Sequence, residues 1–128
     1  MPSRTEIADY VASWRSRARA LVTEAKRGER LKDRLPEFVR SLRTEFGAKR
    51  IVLIGSLARG KVTESSDIDL LVYGIPVERV VDAWVRVDRL ATAAGVEAHV
   101  DLVPAELVRP EVVRDAEAEG VVLWEESH

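Results

Sequence analysis

Apolar residues return at steps of three and four through the first quarter of the chain: Ile7, Val11, Trp14, Ala18, Leu21, Val22 and Ala25. That is the period of one helical face, so a helix is predicted over 4–27, with Tyr10 beside the stripe. Gly28 marks a break or bend. A second helix is predicted from Asp33 or Leu35, with Pro36 in its first turn and Leu35, Phe38, Val39, Leu42 and Phe46 inward. Gly47 suits the position just past its end.

The period then changes. Arg50–Ile54 is a continuous apolar, β-branched run, which predicts a strand covered on both faces. Gly55-Ser56 ends it, with a short helix over 56–60 and a polar loop over 61–66 after it. Asp67–Tyr73 reads as a second strand, closed by Gly74 and Pro76. Residues 77–94 read as a third long helix, with Val80, Val81, Trp84, Val87, Leu90 and Ala91 inward and Gly95 at its end. Glu97–Val103 reads as a third strand, residues 110–119 as a last helix, and Val121–Trp124 as a short fourth strand. The order implies an α/β (α+β) fold, a small mixed sheet flanked by helices on one or both faces. Residues 1–30 form an N-terminal extension, and 31–128 the domain proper.

Composition narrows the class. Of 128 residues, 46% are apolar and 33% charged, the balance of one folded domain. There are no cysteines, which excludes disulfides, thiolate metal sites and thiol nucleophiles. No apolar run approaches the ~20 residues of a membrane span. The opening Met-Pro-Ser-Arg-Thr-Glu lacks the apolar core of a signal peptide, so a cytoplasmic address is expected. Charge is uneven: residues 1–50 carry 13 Lys+Arg against 7 Asp+Glu, and residues 51–128 carry 7 against 15. The plain reading is a solvated Arg-rich helix beside an acidic domain, and the alternative is a surface for an acidic partner. Nucleic acid is not indicated, because no basic run is interleaved with aromatics.

Asp67 and Asp69 carry the chemistry. At i and i+2 of a strand their carboxylates share a face and Ile68 takes the other. Two carboxylates at the margin of an apolar run repel, and a hard divalent cation relieves that repulsion. The plain alternative is an acidic strand end facing water. Asp101, inside Val100-Asp101-Leu102-Val103, is a third carboxylate in an apolar setting, costly unless paired or metal-bound. If its strand lies beside the second, the three supply what a two-metal phosphoryl-transfer site needs. Gly55-Ser56, between strand and short helix, offers backbone N–H groups and a hydroxyl to a phosphate, though Ser56 also suits a helix cap. No Gly-Lys-Ser/Thr follows, so this is not a Walker loop. Arg59 is placed either to reach phosphate or to pair with an acidic residue. Lys61 reads as surface. Ser65 and Ser66 read as shaping the loop. His99 alternates with Asp101 and so is placed to share its cleft, although a lone histidine is more often structural.

The spacing Gly55-Ser56, ten residues, then Asp67-Ile68-Asp69 resembles the signature of the polymerase-beta-like nucleotidyltransferases. The wider run Gly-Ser-Leu-Ala-Arg-Gly…Ser-Asp-Ile-Asp-Leu-Leu-Val is similar to their minimal (MNT) branch, as are Val-Asp-Leu-Val and the ending Glu-Gly-Val-Val-Leu-Trp-Glu. The resemblance covers about residues 35–125. It implies the polymerase-beta-like nucleotidyltransferase fold with an extra N-terminal helix. It also implies that Asp67, Asp69 and Asp101 bind Mg²⁺, or Mn²⁺ in its place. Gly55 and Ser56 would hold the phosphates of ATP or another NTP, and Asp101 would take the acceptor's proton; Arg59 is a candidate phosphate ligand on its own position rather than by the resemblance. The expected reaction is in-line attack on the α-phosphorus with release of pyrophosphate.

The short chain lacks the substrate-gripping domain of small-molecule relatives, so the resemblance implies a protein acceptor, in the manner of an MNT antitoxin acting on a HEPN toxin. Two further readings stand beside it: a contact-only antitoxin, and a small-molecule transferase whose pocket a partner chain completes. A homo-oligomer through residues 4–27 is a further expectation.

Overall fold

The computed structural model describes residues 3–62 and 67–127, apart from the side chains of residues 22, 24 and 25. The predicted roles of Val22, Ala25, Ser65 and Ser66 therefore lie outside the described residues.

Helix α1 runs from Arg4 to Asp33. Ser3 caps it reciprocally: its hydroxyl accepts from the Glu6 N–H at 3.2 Å, and its own N–H donates to the Glu6 carboxylate at 3.1 Å. The break predicted at Gly28 does not occur, and the helix passes straight through. Glycine serves there as a place of close approach. A Cβ on Gly28 would stand 3.1 Å from the Val62 side chain, in the segment leading toward Asp67. The helix ends five residues later because Pro36 has no N–H to continue the ladder.

Helix α2 (Leu35–Phe46) follows at once, with Pro36 in its first turn. It buries Leu35, Phe38, Leu42 and Phe46, and closes on Gly47 in the left-handed conformation at φ 73°. Strand β1 (Arg50–Ile54), the short helix α3 (Gly55–Ala58), strand β2 (Ile68–Tyr73) and helix α4 (Val80–Ala93, after a 3₁₀ turn at Val77–Arg79) come next. Strand β3 (Val100–Pro104), a 3₁₀ turn (Ala105–Leu107), helix α5 (Pro110–Glu119) and strand β4 (Val121–Glu125) complete the chain.

The four strands form one mixed sheet in the order β3-β2-β1-β4. β1 is antiparallel to both β2 and β4, and β2 is parallel to β3. The predicted two-sided burial of β1 holds, and its alternation sorts the core. Ile51 and Leu53 join Ile68, Leu70, Val72 and the α2 and α4 side chains on one face. Val52 and Leu71 meet Ala105, Val113 and Ala116 on the other, beneath α5.

Two expectations need correction. In α4 the buried row is Val80, Ala83, Val87 and Ala91, one helical line; Val81 is 69% exposed and Trp84 42%. Val81 sits one residue, about 100°, off that line. Trp84 instead uses its indole N–H, which donates to the Val100 carbonyl at 2.7 Å and pins the start of β3. The third strand begins at Val100 rather than Glu97 because the preceding residues form a loop that turns toward Asp67. The α1 stripe is regular but uncovered in the single chain: Ile7, Tyr10, Val11, Trp14 and Leu21 are all exposed, whereas Leu31 is buried.

Candidate active site

The parallel pairing of β2 with β3 sets Asp69 directly opposite Asp101. Asp67, two residues before Asp69, precedes the first strand residue, Ile68. All three aspartates are half-buried. The Asp69 carboxyl is pushed above its ordinary value, first by burial, then by the charges of Asp101 and Asp67. The electrostatic strain anticipated for three clustered carboxylates is therefore present at Asp69.

Asp67 is oriented by the backbone. Its Oδ1 accepts the His99 N–H at 3.3 Å, while the His99 carbonyl accepts the Ile68 N–H at 2.9 Å. These bonds clamp the loop before β3 to the start of β2. His99 thus serves the site through its main chain, and as a residue it is exposed.

Gly55 closes the opposite side. It has φ +77°, and a Cβ there would lie 2.5 Å from the Asp69 Oδ2. Glycine is thus required twice over, by conformation and by the approach of the carboxylate. β1 pairs Ile54 with Asp69, which sets the Gly55-Ser56 corner beside the aspartates. The Ser56 carbonyl accepts the Lys61 N–H at 2.9 Å, tying the far end of the α3 turn. Lys61 itself is exposed.

Arg59 meets an acidic residue in this structure. Its guanidinium donates to Glu119 at the end of α5 at 3.2 Å, both groups being well exposed. Beneath α5 lies a group that the sequence did not single out. Glu117 accepts from the Arg50 guanidinium at 3.0 and 2.9 Å and from the Tyr73 hydroxyl at 2.6 Å. Hydrogen bonds from Arg50, then Tyr73, hold the Glu117 carboxyl below its ordinary range. Burial, followed by the Glu117 bond, pushes the Tyr73 hydroxyl up to about 12. The helical spacing of Glu117 was legible, but its partners lie 44 and 67 residues away.

Chemically, the donor set is all oxygen, suited to a hard divalent cation. Among the described residues no group of three or more His, Cys, Asp or Glu side chains is already closed around a point that would hold a metal ion. Asp69 and Asp101, paired across the strands, are the two best placed to share one.

A glycine corner next to clustered carboxylates, on a mixed sheet flanked by helices, is the arrangement expected of nucleotidyl transfer. Residues 35–123 match the nucleotidyltransferase domain family, and the chain belongs to it. A solved structure of a candidate minimal nucleotidyltransferase is 31% identical and superposes with a TM-score of 0.58, over 73% of this chain and 93% of that one. A chain of a toxin–antitoxin complex solved with AMP-PNP shares the fold at a TM-score of 0.58 and 24% identity, over 71% of this chain and 73% of that one. A candidate protein adenylyltransferase of Methanocaldococcus jannaschii is 48% identical over 42 residues, 31% of this chain. That match spans 42% of the relative's own length. The expected polymerase-beta-like fold and the minimal-nucleotidyltransferase resemblance are thus borne out, and α1 precedes the matched region. Among the described residues no helix is long and apolar enough to cross a membrane.

Proposed function

We propose that this nucleotidyltransferase transfers AMP from ATP to a hydroxyl on a partner protein, with Mg²⁺, as the antitoxin of a HEPN-type toxin in the cytoplasm. The observation that carries the reading is the juxtaposition of Asp69, Asp101 and Asp67 beside the Gly55 corner. The toxin–antitoxin neighbour and the candidate protein adenylyltransferase support the partner and the nucleotide.

In this reading Gly55 and Ser56 receive the β- and γ-phosphates through backbone N–H groups and the Ser56 hydroxyl. Asp67 and Asp69, joined by Asp101, would hold Mg²⁺. The ion supplies charge neutralisation and alignment of the phosphates. The acceptor oxygen attacks the α-phosphorus in line, its P–O bond forms as the bond to the bridging oxygen breaks, and pyrophosphate leaves. Asp101 takes the hydroxyl proton. Positioning and electrostatics carry the catalysis.

The test is label transfer from α-labelled ATP with Mg²⁺ in a lysate of the native host. A labelled protein band that disappears with Asp67→Asn/Asp69→Asn is expected. Label confined to small molecules would instead mark a small-molecule acceptor.

A contact-only antitoxin is the second reading, and the exposed stripe of α1 favours it. Its mark would be toxin neutralisation that survives the double substitution.

A further inference from the structure

A cavity of about 580 Å³ lies between the C-terminal part of α1 and the loop from α4 to β3, lined by Arg27, Arg30, Arg34, Asp33, Val96 and Glu97 among others. Residues 27, 30, 31 and 34 recur at helical steps and share one face. Leu31 on that face is buried and anchors the helix, leaving three guanidiniums along the cavity wall. Arg34 pairs with Glu37 at 3.2 Å, with both groups exposed. Arg30 has no ion pair among the described residues.

The cavity is wired to the active site. The Arg27 guanidinium donates to the Glu97 carbonyl at 3.1 Å, fastening the loop to α1. Two residues on, at most roughly 7 Å along the chain, the His99 N–H holds Asp67. The loop wall of the cavity, residues 94–97, thus leads into β3, the edge strand, at the end of the sheet where Asp67 stands. The phosphate corner is on β1, two strands away from that edge. With the phosphates at the Gly55 corner, as in the transferase reading, the β3 edge lies across the aspartates from them, the side from which in-line displacement would bring the acceptor.

We infer that this arginine-lined cavity binds a carboxylate-bearing segment of the acceptor protein and delivers the neighbouring hydroxyl across the β3 edge to the aspartates. The inference rests on the transferase reading for its purpose, though not for its test. Planar guanidiniums match carboxylates with two hydrogen bonds at once. Asp33 and Glu97 in the same wall repel acid placed elsewhere, and so fix the register of the segment. Four of the five lining residues from α1 and its cap (Arg27, Arg30, Asp33 and Arg34, with Leu31) are charged, and all five precede residue 35, where the family match begins. The arginines thus come from outside the matched region, and residues 94–97 of the same wall come from within it.

The probe is a fluorescein-labelled octapeptide of alternating Glu and Ser, with a Lys/Ser octapeptide as its counterpart, read by anisotropy on the full chain. Wild type should bind the acidic peptide and not the basic one. Arg30→Glu should weaken binding on the order of tenfold while AMP-PNP affinity and Tm stay unchanged. Asp67→Asn/Asp69→Asn should leave peptide binding intact, so failure of the transfer reaction and failure of this site are separable. Absence of acidic-peptide binding, or binding indifferent to Arg30→Glu, overturns the inference. So does a loss of AMP-PNP or pyrophosphate affinity in Arg30→Glu, which would assign the cavity to the nucleotide. Tighter binding of an RNA octamer than of the acidic peptide would overturn it as well.

Discussion

At Asp69 the site trades stability for chemistry. Its carboxyl is destabilised as an anion by burial and by two neighbouring aspartates. The folded value lies above the ordinary one, so the native state holds this proton more tightly than the unfolded chain does. The stabilisation is full below the ordinary value and lost as pH rises through the raised one. Asp69→Asn should therefore raise Tm at pH 7 in EDTA, measured by calorimetry, while lowering transfer by at least on the order of 100-fold. At Gly55 the two effects run together. Gly55→Ala must adopt φ +77° and displace the Asp69 carboxylate. It should lose about 1–3 kcal/mol in urea unfolding and lose transfer. Arg59 admits a clean separation, because its partner is Glu119. If the pair only steadies the α3 turn, Arg59→Ala and Glu119→Gln raise KM for ATP equally; a rise confined to Arg59→Ala would place that guanidinium on phosphate.

At the scale of elements, α1 is the outlier. Its apolar positions 7, 11, 14, 18 and 21 keep strict four- and three-residue steps, the seam of helix–helix association. In the single chain the large members of that seam are exposed. We expect α1 to mediate assembly. Light scattering should report a complex whose mass falls on deletion of residues 4–27, or with Trp14→Glu/Leu21→Glu; an unchanged mass would remove that role. The element also shows how far local pattern reaches. The helical period located the start of α1 but ended it at 27, six residues short of Asp33, and said nothing of whether another chain would cover it. Gly28 reads locally as a stop, but the need of Val62 for space decided its use.

At the scale of the molecule, Glu117 joins α5 to the sheet. Arg50 bridges it to β1 and also reaches Glu125 on β4 at 2.9 Å, and Tyr73 adds β2. Because the folded value of Glu117 lies below its ordinary one, its stabilisation is present above the ordinary carboxylate value and lost as pH falls through the lowered one. Glu117→Gln should cost about 1 kcal/mol at pH 7, a figure kept small for a group that water still reaches. The cost should shrink in urea titrations as pH falls below the ordinary glutamate range.

The sequence by itself determined the elements, the domain class and the motif, because each rests on local rules. Period 3.6 or 2 marks the elements, Gly and Pro mark their ends, and Gly-Ser-x10-Asp-x-Asp sets residues a fixed distance apart along the chain. The two-sided burial of β1 followed from alternation alone; the same rule put Asp67 and Asp69 on one strand face, but Asp67 stands just before the strand and is held by the His99 N–H. Only the tertiary structure decided that Asp101 lies opposite Asp69, since strand order and register depend on contacts 32 residues apart. It alone decided that Arg59 meets Glu119, that Glu117 gathers Arg50 and Tyr73, and that the arginines of α1 stand beside the loop that holds Asp67. The partners of a charged side chain are set by what folding brings within about 3 Å of it, and no local period encodes that.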